Sequence, residues 1–162
     1  MEKEKEIALD DIWLKYDEQS SHRYAYKYPR WCVTADTVVF RRTEDKLMVL
    51  LIKRGNEPYK GMWALPGGFV DVDEDVTTGA LRELKEEAGI SVTEIHQLAC
   101  YSKPRRDPRA PVLTIAHYAF TASEEVNAGD DAAEARWFDT ESLPELAFDH
   151  KEIISDAVEM VR

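Results

Sequence analysis

Three glutamates, Glu83, Glu86 and Glu87, stand at i, i+3 and i+4 in the stretch GFVDVDEDVTTGALRELKEEAGI over residues 68–90. On a helix this spacing gathers the carboxylates on one flank. Ala80, Leu81, Leu84 and Ala88 fall on the neighbouring face and form an apolar stripe that can dock on a core. Like charges so placed cost roughly a few tenths of a kcal/mol per pair in an isolated helix, and more where water is partly excluded. Arg82 can bridge forward to Glu86, but Asp71, Asp73, Glu74 and Asp75 add negative charge just upstream. A hard divalent cation, which takes oxygen ligands, is the natural neutraliser. For an isolated E-x-x-E-E cluster the plainer reading is a solvated acidic face.

The flanks argue against the plainer reading. Gly67-Gly68 lets the backbone bend and approach a ligand closely. Asp71 to Asp75 place negative charge where a helix dipole favours it, and Gly89 stands where a helix stop is expected. Gly68, Glu74, Arg82-Glu83-Leu84, Glu86-Glu87 and Gly89-Ile90 follow one another at fixed intervals, and this pattern resembles the complete Nudix box. The resemblance extends on both sides of the box. It implies a Nudix hydrolase domain over residues 31–162, preceded by an N-terminal helix and aromatic arm over 1–30.

The elements that must position this helix can be read along the chain. Leu9, Ile12, Trp13 and Tyr16 recur near one side of a helix over residues 6–18. Tyr24, Tyr26 and Tyr28 alternate as in an extended segment whose rings pack, meet a second subunit or stack on a base. Residues 31–40 and 47–52 are β-branched and apolar, joined by RRTEDK, and predict a hairpin. Residues 90–101, 112–121 and 135–138 predict further strands, with an acidic loop holding Asp130, Asp131 and Glu134 before the last. Asp149 with Glu152 resembles a helix capping pair, ahead of an apolar stripe at Ile153, Ile154, Ala157, Val158 and Val161. The expected fold is α+β, a mixed β-sheet flanked by two main helices; the resemblance implies the Nudix-type α/β/α sandwich.

Composition narrows the partners. With 32 Asp and Glu against 21 Lys and Arg, the net charge is −11, which opposes broad binding to nucleic acid or anionic membranes. An anionic substrate must therefore be drawn in by metal ions and a few local arginines. Arg54 at a strand mouth is one candidate; Arg105 and Arg109 in the stiff loop SKPRRDPRAP are others, with Arg106 beside them. His117 inside a strand reads as a packed histidine without a catalytic role. Cys32 and Cys100 lie in apolar runs and read as small buried hydrophobes. No secretory leader, CxxC pair or long apolar span is read, and the expectation is a cytoplasmic protein.

The resemblance also implies a chemistry. Pro104, fifteen residues beyond Gly89, together with YSKPRRDPR, GDDAAEARWF and LPELAFDH, is similar to the ADP-ribose pyrophosphatase branch of the Nudix family. Members of this branch split ADP-ribose into AMP and ribose 5-phosphate with Mg2+ or Mn2+. The resemblance makes Glu83 and Glu87 metal ligands, Glu86 a further one and the Gly67 carbonyl a last, with Arg82 orienting the carboxylates. It points to Glu134 as general base, with Glu86, Asp130 and Asp131 as alternatives. Arg54, Arg105, Arg109 and Tyr28 are the expected substrate contacts, and a homodimer is expected. Two other readings use the same residues: a nucleoside triphosphate or dinucleotide pyrophosphatase, and a domain that senses ADP-ribose without turnover. The complete set of box glutamates favours catalysis.

Overall fold

The computed structural model describes residues 5–9, 12–16, 25–26, 28–129 and 132–162. Two compact units divide the chain, Met1–Trp31 and Cys32–Arg162. In the first, β1 (Lys5–Leu9), β2 (Ile12–Tyr16) and β3 (Ala25–Tyr26) form a small sheet in the order β1-β2-β3. The helix expected over residues 6–18 is thus replaced by an antiparallel pair with Leu9 opposite Ile12 and Lys5 opposite Tyr16. Ile7 and Leu9, then Ile12, Leu14 and Tyr16, also satisfy a period of two. Pairing of the two runs with each other decides in favour of strands.

The second unit is built on β4 (Cys32–Arg42) and β5 (Leu47–Arg54). These strands are apolar almost throughout because both faces of the sheet are covered. Val38 and Phe40 of β4, with Val49 and Leu51 of β5, meet Ile153, Ile154 and Ala157 of α2 (His150–Val161). The alternate residues Val39, Leu50 and Ile52 meet Leu84 and Ala88 of α1 (Val76–Ala88) on the other face. Between them run β6 (Trp63–Ala64), β7 (Gly67–Phe69), β8 (Ile95–Tyr101), β9 (Val112–Phe120) and β10 (Ala132–Asp139). The main order is β10-β5-β4-β9-β8, with β6 added to β5 and β7 to β4. β4 and β9 run parallel from Cys32 opposite Val112 to Phe40 opposite Phe120, and the other pairings in this sheet are antiparallel. The expected α+β sandwich with a mixed sheet is therefore the observed architecture.

Both ends of α1 are as the sequence reads them. The Asp75 carboxylate accepts the Thr78 N–H at 2.9 Å, and Gly89 closes the helix in the left-handed region at φ 67°. The loop after β9 then folds across the C-terminal turn, where the Asn127 N–H donates to the Ala88 carbonyl at 3.0 Å.

Four expectations need correction. β10 begins at Ala132, so Glu134 lies inside the strand, beside a register shift between Ala132 and Glu134, rather than in a loop. The strand expected from residue 90 starts at Ile95. Cys32 and Cys100 are exposed: one opens β4, and the other lies on β8, at the edge of the sheet, where one face of the strand stays in water. Asp149 stands at the N-cap of α2 but makes no side-chain cap bond, because its carboxylate is taken by Arg106. Among the described residues no helix is long and apolar enough to cross a membrane.

Leu84 is fully buried between α1 and the sheet. Replacing it with alanine removes most of an apolar side chain and leaves a cavity, so Leu84→Ala should cost about 3 kcal/mol. A urea unfolding midpoint that shifts by that amount, with unchanged slope, is the expected readout.

Candidate active site

A cavity of about 380 Å³ opens over the β4–β7 edge of the sheet and the cavity-facing flank of α1. Its acidic wall comes from local geometry. Glu83 and Glu87, one helical turn apart, both line it, and Asp36 of the buried strand β4 adds a third carboxylate. The two glycines of β7 bring bare backbone against these carboxylates. The Gly67 N–H donates to Glu87 Oε2 at 2.9 Å. A Cβ on Gly68 would lie 2.5 Å from Glu83 Oε1, and one on Gly67 would lie 2.3 Å from the Ala35 carbonyl and 2.4 Å from Asp36 Oδ1. At Gly67 the obstacle is backbone, so only glycine fits there, whereas a side chain at Gly68 would displace the Glu83 carboxylate.

Arg82 ties the rest of the box together. Its guanidinium holds Glu74 through two bonds of 3.1 and 2.7 Å, reaches Glu83 at 2.8 Å and Glu86 at 3.0 Å, and donates to the Phe69 carbonyl at 3.1 Å. The Glu74 carboxyl is held below its ordinary value by this pairing and by the Asp71 N–H. Glu87 goes the other way: burial, then the neighbouring Glu83 and Asp36 charges, push it up to about 8 despite the Gly67 N–H and Arg54. Burial also raises Glu83, against the pull of Arg82.

Two partly buried carboxylates that resist ionisation side by side fit a cation in charge, and their oxygens with the Gly67 carbonyl fit a hard divalent ion in type. Among the described residues no three His, Cys, Asp or Glu side chains are gathered to hold an ion by themselves. The fit therefore rests on this donor set of two carboxylates and a carbonyl.

Cationic and aromatic side chains line the same cavity. Arg54 bonds the Pro58 carbonyl through Nε at 2.7 Å and lies 4.9 Å from the centre of the Phe148 ring. Burial and the nearby Arg109 lower its pKa. Arg109 is fixed to Asp107 by bonds of 3.0 and 2.6 Å and lies over Phe69 at 5.0 Å. Arg106, with a side chain only 4% exposed, makes a two-bond pair with Asp149 at 2.8 and 2.6 Å. The imidazole of His150, the first residue of α2, accepts the Leu65 N–H on Nδ1 at 2.9 Å with Nε2 3.9 Å from Asp36 Oδ1. Burial lowers its pKa and favours the neutral ring.

Of the residues expected from sequence, the cavity brings together Gly67, Arg82, Glu83, Glu87, Arg54 and Arg109. Glu86, 42% exposed, reaches Arg82 but is not among the lining residues. Glu134 is held by Lys53 at 3.1 Å and Arg136 at 2.6 Å, and it too is absent from the lining. Arg105 is exposed outside the cavity while its neighbour Arg106 turns in. Tyr28 belongs to the N-terminal unit, and Asp130 and Asp131 lie outside the described residues. His117 is buried in β9, donating from Nδ1 to the Ile115 carbonyl at 3.0 Å, and does not line the cavity. Sequence reading missed Asp36, Asp107, Phe69, Phe148 and His150. For Asp36 a signal existed, since a lone carboxylate in the run WCVTADTVVF has no place in a strand covered on both faces.

The NUDIX domain model matches residues 31–157. An ADP-ribose pyrophosphatase of Methanocaldococcus jannaschii is 50% identical over 150 residues, covering 93% of this chain and 89% of that protein. The NUDIX domain of Shewanella oneidensis NrtR, solved with ADP-ribose, superposes with a TM-score of 0.77 at 30% identity over 83% of this chain and 91% of its own. A bifunctional NMN adenylyltransferase/ADP-ribose pyrophosphatase of Francisella tularensis, solved with AMP and a Mn ion, gives 0.69 at 27% identity. It is covered over 43% of its length, by 84% of this chain.

In the unfolded chain the Glu87 carboxyl ionises near 4.5, but in the folded chain it keeps its proton to about 8. Between these values the folded state binds more protons, so this group makes stability fall as pH rises. In chelator, Glu87→Gln should therefore be more stable than the parent by about 1–3 kcal/mol at pH 8.5 and nearly equal at pH 4.5. Urea denaturation of both proteins across that range gives the comparison.

Proposed function

The chain belongs to the Nudix family, and from this we propose that it is a divalent-metal-dependent pyrophosphohydrolase that cleaves ADP-ribose to AMP and ribose 5-phosphate. One observation carries the reading: two partly buried carboxylates, Glu83 and Glu87, and two arginines, Arg54 and Arg109, line the same cavity of about 380 Å³, a size suited to a small-molecule ligand. The 50% identical pyrophosphatase supports the choice of substrate.

Hydrolysis adds water across the phosphoanhydride, breaking the bond between one phosphorus and the bridging oxygen. A bound Mg2+ or Mn2+ supplies charge neutralisation at the diphosphate and acidifies water. Glu83 and Glu87, with the Gly67 carbonyl, are the residues that would hold it, and Glu86 stands nearby on the same helix. Arg82 is held by Glu74 and orients Glu83 and Glu86 through its bonds to both. Arg54, whose Nε donates to the Pro58 carbonyl rather than to a carboxylate, is the cation best placed to take a phosphate oxygen; Arg109 follows, partly neutralised by Asp107. Glu86 and Glu134 remain in the proposal as proton acceptors. For Glu134 this requires exchange of its partners Lys53 and Arg136.

A small nucleotide rather than a nucleic acid is the partner that suits a net charge of −11. We further assign the protein to the cytoplasm and to a homodimer, with residues 1–30 as an arm and Tyr28 as a substrate contact supplied by it. Sedimentation at working concentration should give twice the chain mass of 18.6 kDa, and a mass of one chain would remove the dimer.

A sensing domain binds ADP-ribose without turnover, so a nucleotide panel with Mg2+, Mn2+ and chelator separates the readings. The expected result is AMP and ribose 5-phosphate from ADP-ribose, abolished by chelator and by Glu83→Gln. Turnover confined to triphosphates or dinucleotides would move the substrate, and tight binding without products would make the domain a sensor. Arg54→Ala should raise KM about 10-fold or more, as expected for loss of a charge-assisted phosphate contact.

A further inference from the structure

The bend that carries Gly67 is held by a side chain lying 85 residues further along the chain. β6 is joined on one side by the segment entering α2. Trp63 and Leu146 form a parallel bridge, and the Ala147 N–H donates to the Trp63 carbonyl at 2.8 Å. A parallel ladder continued in this register would offer the Ala147 carbonyl to the Leu65 N–H. That carbonyl instead accepts the His150 N–H at 3.3 Å, as the chain turns into the helix. Leu65 is buried, so its N–H would be left without a partner. The His150 ring fills the gap, with Nδ1 2.9 Å from the Leu65 nitrogen.

This bond sets the tautomer. Nδ1 accepts, so the neutral ring carries its proton on Nε2, and Nε2 faces Asp36 Oδ1 across 3.9 Å. Leu65 and Pro66 then lead directly to Gly67, whose N–H bonds Glu87 and whose Cα has no room for a side chain beside Asp36. His150 thereby touches both the bend and the carboxylate against which Gly67 packs. Ring contact with Phe148, at 5.2 Å between centroids, holds its plane.

We propose that His150 is a positioning residue for the hydrolysis: as the Nε2–H tautomer its Nδ1 replaces a missing ladder carbonyl at Leu65 and fixes the Leu65–Gly68 bend against Glu83 and Glu87. The proposal rests on the reading of this cavity as the hydrolytic site. Its effect falls on kcat, because the bend orients the carboxylates proposed to act at the reacting centre, whereas the proposed phosphate contacts Arg54 and Arg109 are held by the Pro58 carbonyl and by Asp107.

The test uses the full chain. In the wild type, ring nitrogen NMR should show an unprotonated Nδ1 and a protonated Nε2, and the Leu65 amide should exchange slowly. His150→Leu removes the acceptor and should lower kcat about 10- to 100-fold with KM within about threefold. His150→Asn returns an oxygen near the place of Nδ1 and should recover kcat to within about threefold of wild type. Recovery at a thermal midpoint no higher than that of the leucine variant separates positioning from a general loss of stability. A proton on Nδ1, fast exchange at Leu65, or a leucine variant within about twofold of wild type in kcat would each overturn the proposal. If His150→Leu fails to fold, the asparagine variant and the wild-type NMR still decide. A wild-type chain without ADP-ribose turnover would sink the functional reading alone, since tautomer and exchange are read without substrate.

Discussion

The hydrogen bond from the Gly67 N–H to the Glu87 carboxylate joins the sheet to the box helix. It requires a carboxylate, a bare stretch of backbone and two rigid elements to meet within about 3 Å. Glycine at 67 is the residue type that permits this approach, because a Cβ there would strike the Ala35 carbonyl and Asp36, while a Cβ at 68 would push the Glu83 carboxylate out of place. The sheet is packed on both faces, by α2 on one and α1 on the other, so neither partner can move aside. Glu83 and Glu87 are thereby held together at a cost in ionisation that appears in their raised pKa values. A fold that keeps two partly buried carboxylates close in this way is prepared for a cation.

The chain carries an excess of acid, and its arginines are distributed by function. Arg82 is absorbed in holding the box: three glutamates and a carbonyl occupy its donors. Arg106 is buried in a pair with Asp149 and fixes the 102–111 loop to the start of α2. Breaking such a pair leaves an uncompensated buried charge, so its role is structural. Arg109 is half committed to Asp107, and Arg54 bonds a carbonyl while lying against Phe148. This gradation, from fully neutralised to weakly neutralised, explains how a strongly acidic protein can present positive charge in the same cavity as its carboxylates.

The box helix, its acidic start and Gly89 stop, the doubly covered strands and the closing helix were legible because each has a local cause: a period, a run of acids at a helix start or a glycine at a helix end. The N-terminal segment was misread because Ile7, Leu9, Ile12, Leu14 and Tyr16 satisfy two periods at once, and pairing between runs resolved the ambiguity. Asp149 was read as a cap from its spacing to Glu152, yet a guanidinium 43 residues away outcompetes the helix N–H groups. Glu134 looked like a loop carboxylate, but β10 starts earlier and sets it between two cations.

The amino-acid sequence by itself determined the layered fold, the acidic helix and its glycine bend, and hence the family and the kind of chemistry. These depend on residue type and near-neighbour spacing, which are present in any conformation of the chain. Tertiary structure alone decided which charged groups reach the cavity. Glu87 enters and Glu86 does not; Arg106 turns in and Arg105 stays out; Asp36 and His150 join from β4 and α2. Each of those outcomes is a competition among partners distant in sequence, settled by which of them the packed sheet and helices bring within hydrogen-bonding distance.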